Sequence, residues 1–329
     1  MKFEKVLIVS KMTELEFYET MYGANVDSAL KKYNYDVSAL EKNHKYHYES
    51  LDKIIRLFEL NGIKAGVIKK QSIGRMDFDE KWDLIVPVGG DGTFMDVGRY
   101  ILDDTFLFGI KSSPISAGCH YNTDFSNAEE HIAKLLKGDF KIEKRARIEG
   151  VIENGDYIKD FALNEIAIGD RYFAGYSRLN IEFNGETFVT GSNGLVVSTY
   201  RGRTGWYDYI NIMERDSEIV QKAKLALTTV GLGDCTVNNS LADFKMGEEN
   251  LIRYKVAIGH SDHDKNYGYD FGILRQGEEL IVHSRIISDG AATFDGSKPG
   301  RPRSRTYNLY FGSKIRLRMS DKPLYVVQF

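Results

Sequence analysis

Apolar residues in the first 140 positions fall in short unbroken runs separated by longer amphipathic stretches. The run at Val6–Ser10 predicts a buried strand, and Ile63–Lys69, Asp83–Val88 and Phe106–Ile110 predict three more. Tyr35–Asn61 carries Leu40, Leu51, Ile54, Ile55, Phe58 and Leu60. From Leu51 on their spacing is helical, and Gly62 is placed as a C-terminal stop. Thr93–Leu102 and Asn127–Leu136 predict two further helices. Short apolar strands alternating with helices imply a parallel sheet covered on both faces. Near Lys141 the pattern changes. Short alternating strands take over at Arg147–Ile152, Ile158–Ile168, Ser177–Phe183, Leu195–Ser198, Arg253–Ile258, Glu279–Ser284 and Lys314–Arg318. Asn154-Gly155 and Asn184-Gly185 supply turns, and one helix is expected from Asp208 to about Leu225. The expectation is an α/β domain over residues 1–143 and an all-β sandwich over 144–329, whose last segment can return to pack on the first domain.

Composition narrows the function classes. The chain has 329 residues, 42% hydrophobic and 28% charged, the balance of a soluble globular protein. Its 44 basic and 47 acidic residues leave a formal charge of −3. No global field draws it to nucleic acid or anionic lipid, so neither a nucleic-acid nor a membrane partner is expected. Two cysteines, Cys119 and Cys235, cannot build a disulfide framework. The early apolar run is too short for a signal core or a membrane span, and Glu4 disfavours a transit peptide. A cytoplasmic location is expected.

The strongest local signal is Val86-Pro87-Val88-Gly89-Gly90-Asp91-Gly92-Thr93-Phe94, a buried strand running through glycines into a helix. Glycines let backbone N–H groups approach an anion, and the helix adds its positive end, so phosphate is the natural guest of Gly89, Gly90, Gly92 and Thr93. A dinucleotide fingerprint fails because Met95 occupies its last glycine position, and a Walker loop fails for want of a Gly-Lys dipeptide. Asp91 would repel a simply cradled phosphate. Its role is therefore either Mg²⁺ ligation or acceptance of a hydroxyl proton during phosphoryl transfer.

This loop resembles that of the NAD kinase family, within a larger group that includes diacylglycerol and sphingosine kinases. Phe108-Gly109-Ile110-Lys111 resembles the family's strand ending in Gly-Ile-Asn, and Leu163-Asn164-Glu165-Ile166 its Asn-Glu pair. Asn193-Gly194 through Ser198-Thr199 resembles its Asp-Gly segment, and Ser288-Asp289-Gly290 its late Asp-Gly. His44, the turns Ser112-Ser113-Pro114 and Gly118-Cys119-His120, and Gly202 to Trp206 with Asn211 look like the mitochondrial-type branch. The resemblance implies transfer of the γ-phosphate of ATP to the 2′-hydroxyl of the adenosine ribose of NAD, with Mg²⁺ bridging the donor phosphates. The active site would lie between the domains of a homodimer or homotetramer. It makes Asp91 the base, Asn164 and Glu165 ligands of NAD, with Glu165 on ribose hydroxyls, and Asn193, Thr204, Gly205 and Trp206 further parts of the NAD pocket. It assigns no metal ligand among the protein side chains.

The chain also departs from the family pattern. Asn193 stands where many members have aspartate, and Tyr200-Arg201-Gly202-Arg203 replaces a neutral turn. Arg201 and Arg203 could clamp a phosphate, pair with Asp208 or Glu214, or lie in solvent. Two rival readings are a phosphotransferase for another hydroxyl, lipid or sugar, and an inactive NAD-binding sensor. Elsewhere the bland reading is preferred. His260, Asp262, His263 and Asp264 read as a solvated loop, His44 and His47 as surface or interface residues, and Cys119 as a small buried side chain. Lys298, Arg301, Arg303 and Arg305 read as an exposed loop.

Overall fold

The computed structural model describes residues 3–114, 118–173, 175–215, 244, 246–257, 271–296 and 305–329. Cys235, the His260–Asp264 stretch, Lys298, Arg301, Arg303 and any helix beyond Arg215 lie outside them. The chain divides into two compact units, Met1–Lys144 with Leu324–Phe329, and Arg145–Pro323.

The first unit is built on a sheet of β1 (Lys5–Ser10), β2 (Lys64–Lys69), β3 (Leu84–Gly89), β4 (Phe106–Leu107), β5 (Ile110–Lys111), β6 (Thr123–Asp124), β7 (Lys141–Arg145) and the chain's last strand, Leu324–Gln328. β1 lies between β2 and β3, parallel to both, and β3 pairs in parallel with β4 and β5. The expected strand Phe106–Ile110 is thus two short strands, interrupted at Phe108-Gly109. At Gly109 an added Cβ would stand 2.6 Å from the Tyr121 ring. Parallel neighbours need crossovers, and α3 (Val37–Leu60) makes the one from β1 to β2, burying Leu51, Ile54 and Phe58 against Val6, Ile8 and Val86. α4 (Asp91–Gly98) follows β3 and ends earlier than the expected Leu102. α5 (Ala128–Lys137) buries Ile132 and Leu135.

Two helices before α3 carry no readable stripe. α1 (Glu14–Tyr22) buries no side chain, and α2 (Val26–Lys32) buries only Leu30. What specifies α1 is its start: Thr13 accepts from the Glu16 amide while the Glu16 carboxylate takes the Thr13 amide.

His47 corrects the surface reading. It is fully buried on α3 and bridges two hydroxyls, Ser10 at 2.9 Å through Nε2 and Ser112 at 2.8 Å through Nδ1. Burial first, and the Lys11 charge next, push its pKa down to about 4, so it is neutral at pH 7. It ties the end of β1 to the loop after β5.

The second unit has two sheets, antiparallel throughout. One runs β15 (Phe271–Leu274), β14 (Ile252–Ala257), β13 (Gly194–Thr199), β10 (Glu165–Asp170), β17 (Gly290–Phe294), β18 (Thr306–Leu309). The other runs β12 (Glu186–Ser192), β11 (Ser177–Phe183), β16 (Glu279–Ser284), β19 (Lys314–Met319), β8 (Ile148–Glu153), β9 (Tyr157–Ala162). Their inward residues, among them Ile166, Ile168, Leu195, Val197 and Phe294 from one sheet and Ile148, Leu179, Leu280 and Leu317 from the other, form one apolar core. The expected strand Ile158–Ile168 is two strands, because the backbone turns at Leu163-Asn164. α6 (Trp206–Arg215) covers the outer face of the first sheet, packing Tyr207 and Ile210 on Ala167 and Val196. The last strand, β20 (Leu324–Gln328), then joins β4 in parallel. No helix of the described residues is long and apolar enough to cross a membrane.

His47→Leu should remove both hydroxyl contacts and lower stability by about 1–3 kcal/mol. Because the folded pKa lies below that of a free histidine, the wild type should lose stability as pH falls from about 6.5 toward 4. Urea melts across that range should show this slope in the wild type and a flatter one in the variant.

Candidate active site

In the first unit, β3 is buried along its whole length and ends at Gly89. Gly90 occupies the N-cap position of α4, with no side-chain cap, and Asp91 is the first helical residue. A carboxylate in a first turn is favoured by the helix dipole. The Asp91 side chain does not turn back on its own helix. Its Oδ2 accepts the Cys119 N–H at 2.9 Å and its Oδ1 the His120 N–H at 3.2 Å. Gly118 makes this approach achievable, since a Cβ there would lie 2.2 Å from Oδ1. Tyr121, beneath, donates to the Gly90 carbonyl at 2.8 Å, and burial first, with the Asp91 charge second, raises its pKa well above that of a free phenol. The Thr93 side chain is buried, and its N–H returns to Gly90 O at 2.7 Å.

Two ammonium groups flank this turn. Lys70 reaches the Gly92 carbonyl at 3.1 Å and Asp96 at 2.5 Å, and Lys111 reaches the Gly118 carbonyl at 3.0 Å. Sequence reasoning missed both as site residues. The readable signal was a lysine at the end of β5, in Phe108-Gly109-Ile110-Lys111. Cys119 corrects the buried reading, since its side chain is exposed, while His120 is 1% exposed with its ring stacked on Phe94.

In the second unit the organising group is an aspartate. Asp295, just past β17, accepts the Leu163 N–H at 2.9 Å, the Asn164 N–H at 2.7 Å and the Arg305 guanidinium at 2.8 Å, which fixes the turn between β9 and β10. Arg305 is 2% exposed, a correction of the exposed-loop reading. It also donates to Asp160 at 2.9 Å and to the Phe161 carbonyl. Glu165 opens β10 with a buried carboxyl whose Oε2 has no hydrogen-bond partner among the described residues. Burial first, and Asp295 next, push its pKa up to about 8. Gly205 and Gly296 border it, a Cβ at Gly205 falling 3.1 Å from Oε2.

The other sequence-selected residues divide between the two ends of this unit. Thr199 donates to the Leu163 carbonyl at 2.6 Å and takes the Gly202 N–H at 3.1 Å. Gly202 lies so close to Asn164 that a Cβ would sit 2.3 Å from its carbonyl oxygen. The turn Arg201–Thr204 and Gly205 are thereby brought to Asn164-Glu165. Arg203 stacks on Tyr200 and donates to its carbonyl, and Arg201 and Arg203 are both half-buried. Trp206 is 41% exposed, edge-on to Phe173. Asn193 lies elsewhere. Glu165 pairs with Ser198 and Gly169 with Gly194, so Asn193 precedes the far end of β13, where its amide donates to the Phe173 carbonyl. Asp289 is at that far end too, paired with Arg171. The Asp-Gly beside Asn164-Glu165 is Asp295-Gly296, which sequence reasoning missed although the dipeptide is as readable as Asp289-Gly290. The side chains of Asn211 and Glu214 lie outside the described residues.

The chain thus combines an α/β unit, carrying a glycine turn and a fixed acid, with a two-sheet sandwich that carries a buried acid. No family model matches the chain. It is 25% identical to the NAD kinase of Lachnospira eligens over 218 residues, 65% of this chain and 67% of that protein, and 33% identical to the NAD kinase of Porphyromonas gingivalis over 129 residues, 39% and 44%. The match thus spans about two thirds of the first relative and under half of the second. Among solved structures, an NAD kinase from Archaeoglobus fulgidus in complex with ATP superposes with a TM-score of 0.60 at 14% identity, over 98% of this chain and 92% of that one. A yeast NADH kinase complexed with NADH gives 0.58 at 15% identity, over 100% and 84%. The chain is similar in sequence to NAD kinases and shares their fold.

Glu165→Gln should change how stability depends on pH. A carboxyl whose pKa is raised in the folded state holds its proton there and loses it in the unfolded chain, so the wild type should weaken as pH rises from about 4.5 toward 8, by up to roughly 1.4 kcal/mol per unit. Denaturant midpoints should draw ahead in the variant toward pH 8. Parallel curves would show that Glu165 is ionised throughout.

Proposed function

We propose that this chain is an NAD kinase, transferring the γ-phosphate of ATP to the 2′-hydroxyl of the adenosine ribose of NAD to give NADP and ADP. The observation that carries the reading is the Asp91 carboxylate, held by two backbone N–H groups beside the glycine turn. In this position it accepts the hydroxyl proton as the oxygen attacks phosphorus, a late transfer that needs no strongly basic group. Gly89, Gly90, Gly92 and Thr93 hold phosphates at the start of α4, with Lys70 and Lys111 supplying positive charge. Asn164 and Glu165 bind NAD, Glu165 through ribose hydroxyls, since its Oε2 is a buried acceptor with no partner among the described residues. Thr204, Gly205 and Trp206 line the nicotinamide side, and Arg201 and Arg203 flank Asn164 as candidate phosphate contacts; Asn193, at the far end of β13, is left out of this pocket.

The residues near Asp91 offer Mg²⁺ one carboxylate beside a thiol and an imidazole, not an oxygen cage. They fit an ion held mainly by the donor's phosphates, whose charge it would neutralise. Self-association is supported by exposed Tyr172, Tyr176, Ile287, Tyr310 and Phe311, all on connections at the end of the sandwich away from Glu165. A cytoplasmic setting is supported by the low cysteine count. A lipid acceptor is disfavoured by the polar surroundings of Asn164 and Glu165.

Incubation with ATP, Mg²⁺ and NAD, read by an NADP-specific dehydrogenase, should show product. Asp91→Asn should cut kcat by about 10²–10⁴-fold with little change in NAD affinity, and an unchanged rate would remove Asp91 from the mechanism. NAD affinity measured by calorimetry should rise between pH 7 and 9, as Glu165 becomes the carboxylate that accepts ribose hydroxyls, and should be weaker and flat in Glu165→Gln. Equal affinities in the two proteins would remove Glu165 from the pocket.

A further inference from the structure

Phosphoryl transfer uses only part of the chemistry gathered at Asp91. The Asp91 carboxylate, the Cys119 thiol and the His120 imidazole each place one ligand atom within 4.8 Å of the other two. Their directions are set by packing. Both Asp91 oxygens are tied to the Cys119 and His120 amides, each keeping a lone pair, and the His120 ring is stacked on Phe94 with centroids 5.1 Å apart and planes 16° from parallel. Cys119 is exposed, so the cluster opens to solvent. Sulfur, nitrogen and oxygen donors together select Zn²⁺ over the hard Mg²⁺. With metal–ligand bonds of about 2.0–2.3 Å, donors on one tetrahedral zinc stand roughly 3.3–3.8 Å apart, so closing the cluster takes side-chain movements of about 1 Å.

We propose that the chain binds one Zn²⁺ through Asp91, Cys119 and His120, with the fourth position open, and that zinc so bound switches off phosphoryl transfer by occupying the Asp91 carboxylate. Binding converts the Cys119 thiol to the thiolate and releases its proton to solvent, so affinity rises with pH. The metal site stands on its own geometry. Only the inhibition rests on Asp91 being the base for NAD phosphorylation.

The test begins with the full chain, treated with chelator and titrated with Co²⁺. The expected result is a thiolate-to-cobalt charge-transfer band that saturates near one equivalent and is bleached by Zn²⁺. Cys119→Ser should lose the band and bind Zn²⁺ at least tenfold more weakly, and Asp91→Asn should also bind more weakly. With ATP, excess Mg²⁺ and NAD, micromolar Zn²⁺ should suppress the wild-type rate, and a zinc-selective chelator should restore it. Cys119→Ser, scored against its own zinc-free rate, should resist. Absence of the band, or equal zinc affinity in Cys119→Ser, overturns the site, and a band without loss of rate overturns the inhibition. If no NADP forms at all, the cobalt spectrum still decides the metal site, because it reads the thiolate alone.

Discussion

The close contact of Asp91 with the Gly118–His120 backbone is the constraint on which the first unit's chemistry depends. An aspartate at a helix start ordinarily spends its oxygens on its own helix. Here they go to amides 28 and 29 residues further along the chain, and the space that a side chain at Gly118 would fill is taken by the carboxylate. No side chain caps α4, so the positive end of the helix is left to a ligand, and the acid beside it is set before any ligand arrives. Such preorganisation makes a carboxylate useful in phosphoryl transfer, because the enzyme contributes mainly position and field.

The second unit solves a different electrostatic problem. Two buried acids, Asp160 and Asp295, hold one guanidinium, that of Arg305, and a third, Glu165, lies near Asp295. Arg305 forms ion pairs with the first two, at 2.9 Å and 2.8 Å. Among the described residues no cation is bonded to Glu165, and a proton is the inexpensive way to bury it. The same Asp295 that raises the pKa of Glu165 also takes the amides of Leu163 and Asn164. Asp295 thus fixes the turn that presents Asn164-Glu165 and adds to the effect of burial on Glu165, while Arg305 holds Asp295 in place.

How far this was legible in the sequence depends on whether the signal was local. Buried strands β1 and β3 are nearly continuous apolar runs, and Ser177–Phe183 and Glu279–Ser284 were read to the residue, because burial on one or both faces writes itself into spacing. α1 left no stripe because it buries nothing. The stretch Ile158–Ile168 looked like one strand because the carboxylate that turns it at Leu163-Asn164 lies more than 130 residues later, in Asp295. The glycine turn and Asp91 were visible as a motif. The partners of Asp91 were not, being two backbone amides that have no letter code. His47 and Arg305 were misread for a related reason: each is polar, and only the tertiary structure supplies the two hydroxyls or the two carboxylates that make burying it tolerable.

The two acids that carry the proposed chemistry are thus held in opposite ways. Asp91 is half-buried and has an amide donor on each oxygen. Glu165 is buried, lacks a donor on Oε2 among the described residues and sits beside another carboxylate, which favours the neutral form. Two carboxyls in such contrasting surroundings can take different jobs at one pH. A charged, fixed oxygen can steer and receive a proton from a hydroxyl. A buried carboxyl can first present its own proton to a ribose oxygen and then, as hydroxyl donors arrive to replace the hydrogen bonds it lacks, surrender that proton and bind as the anion. In the proposed reaction, the cost of burying Glu165 with no partner on Oε2 among the described residues would be offset when a dinucleotide supplies hydroxyl donors, which favours a ligand rich in vicinal hydroxyls.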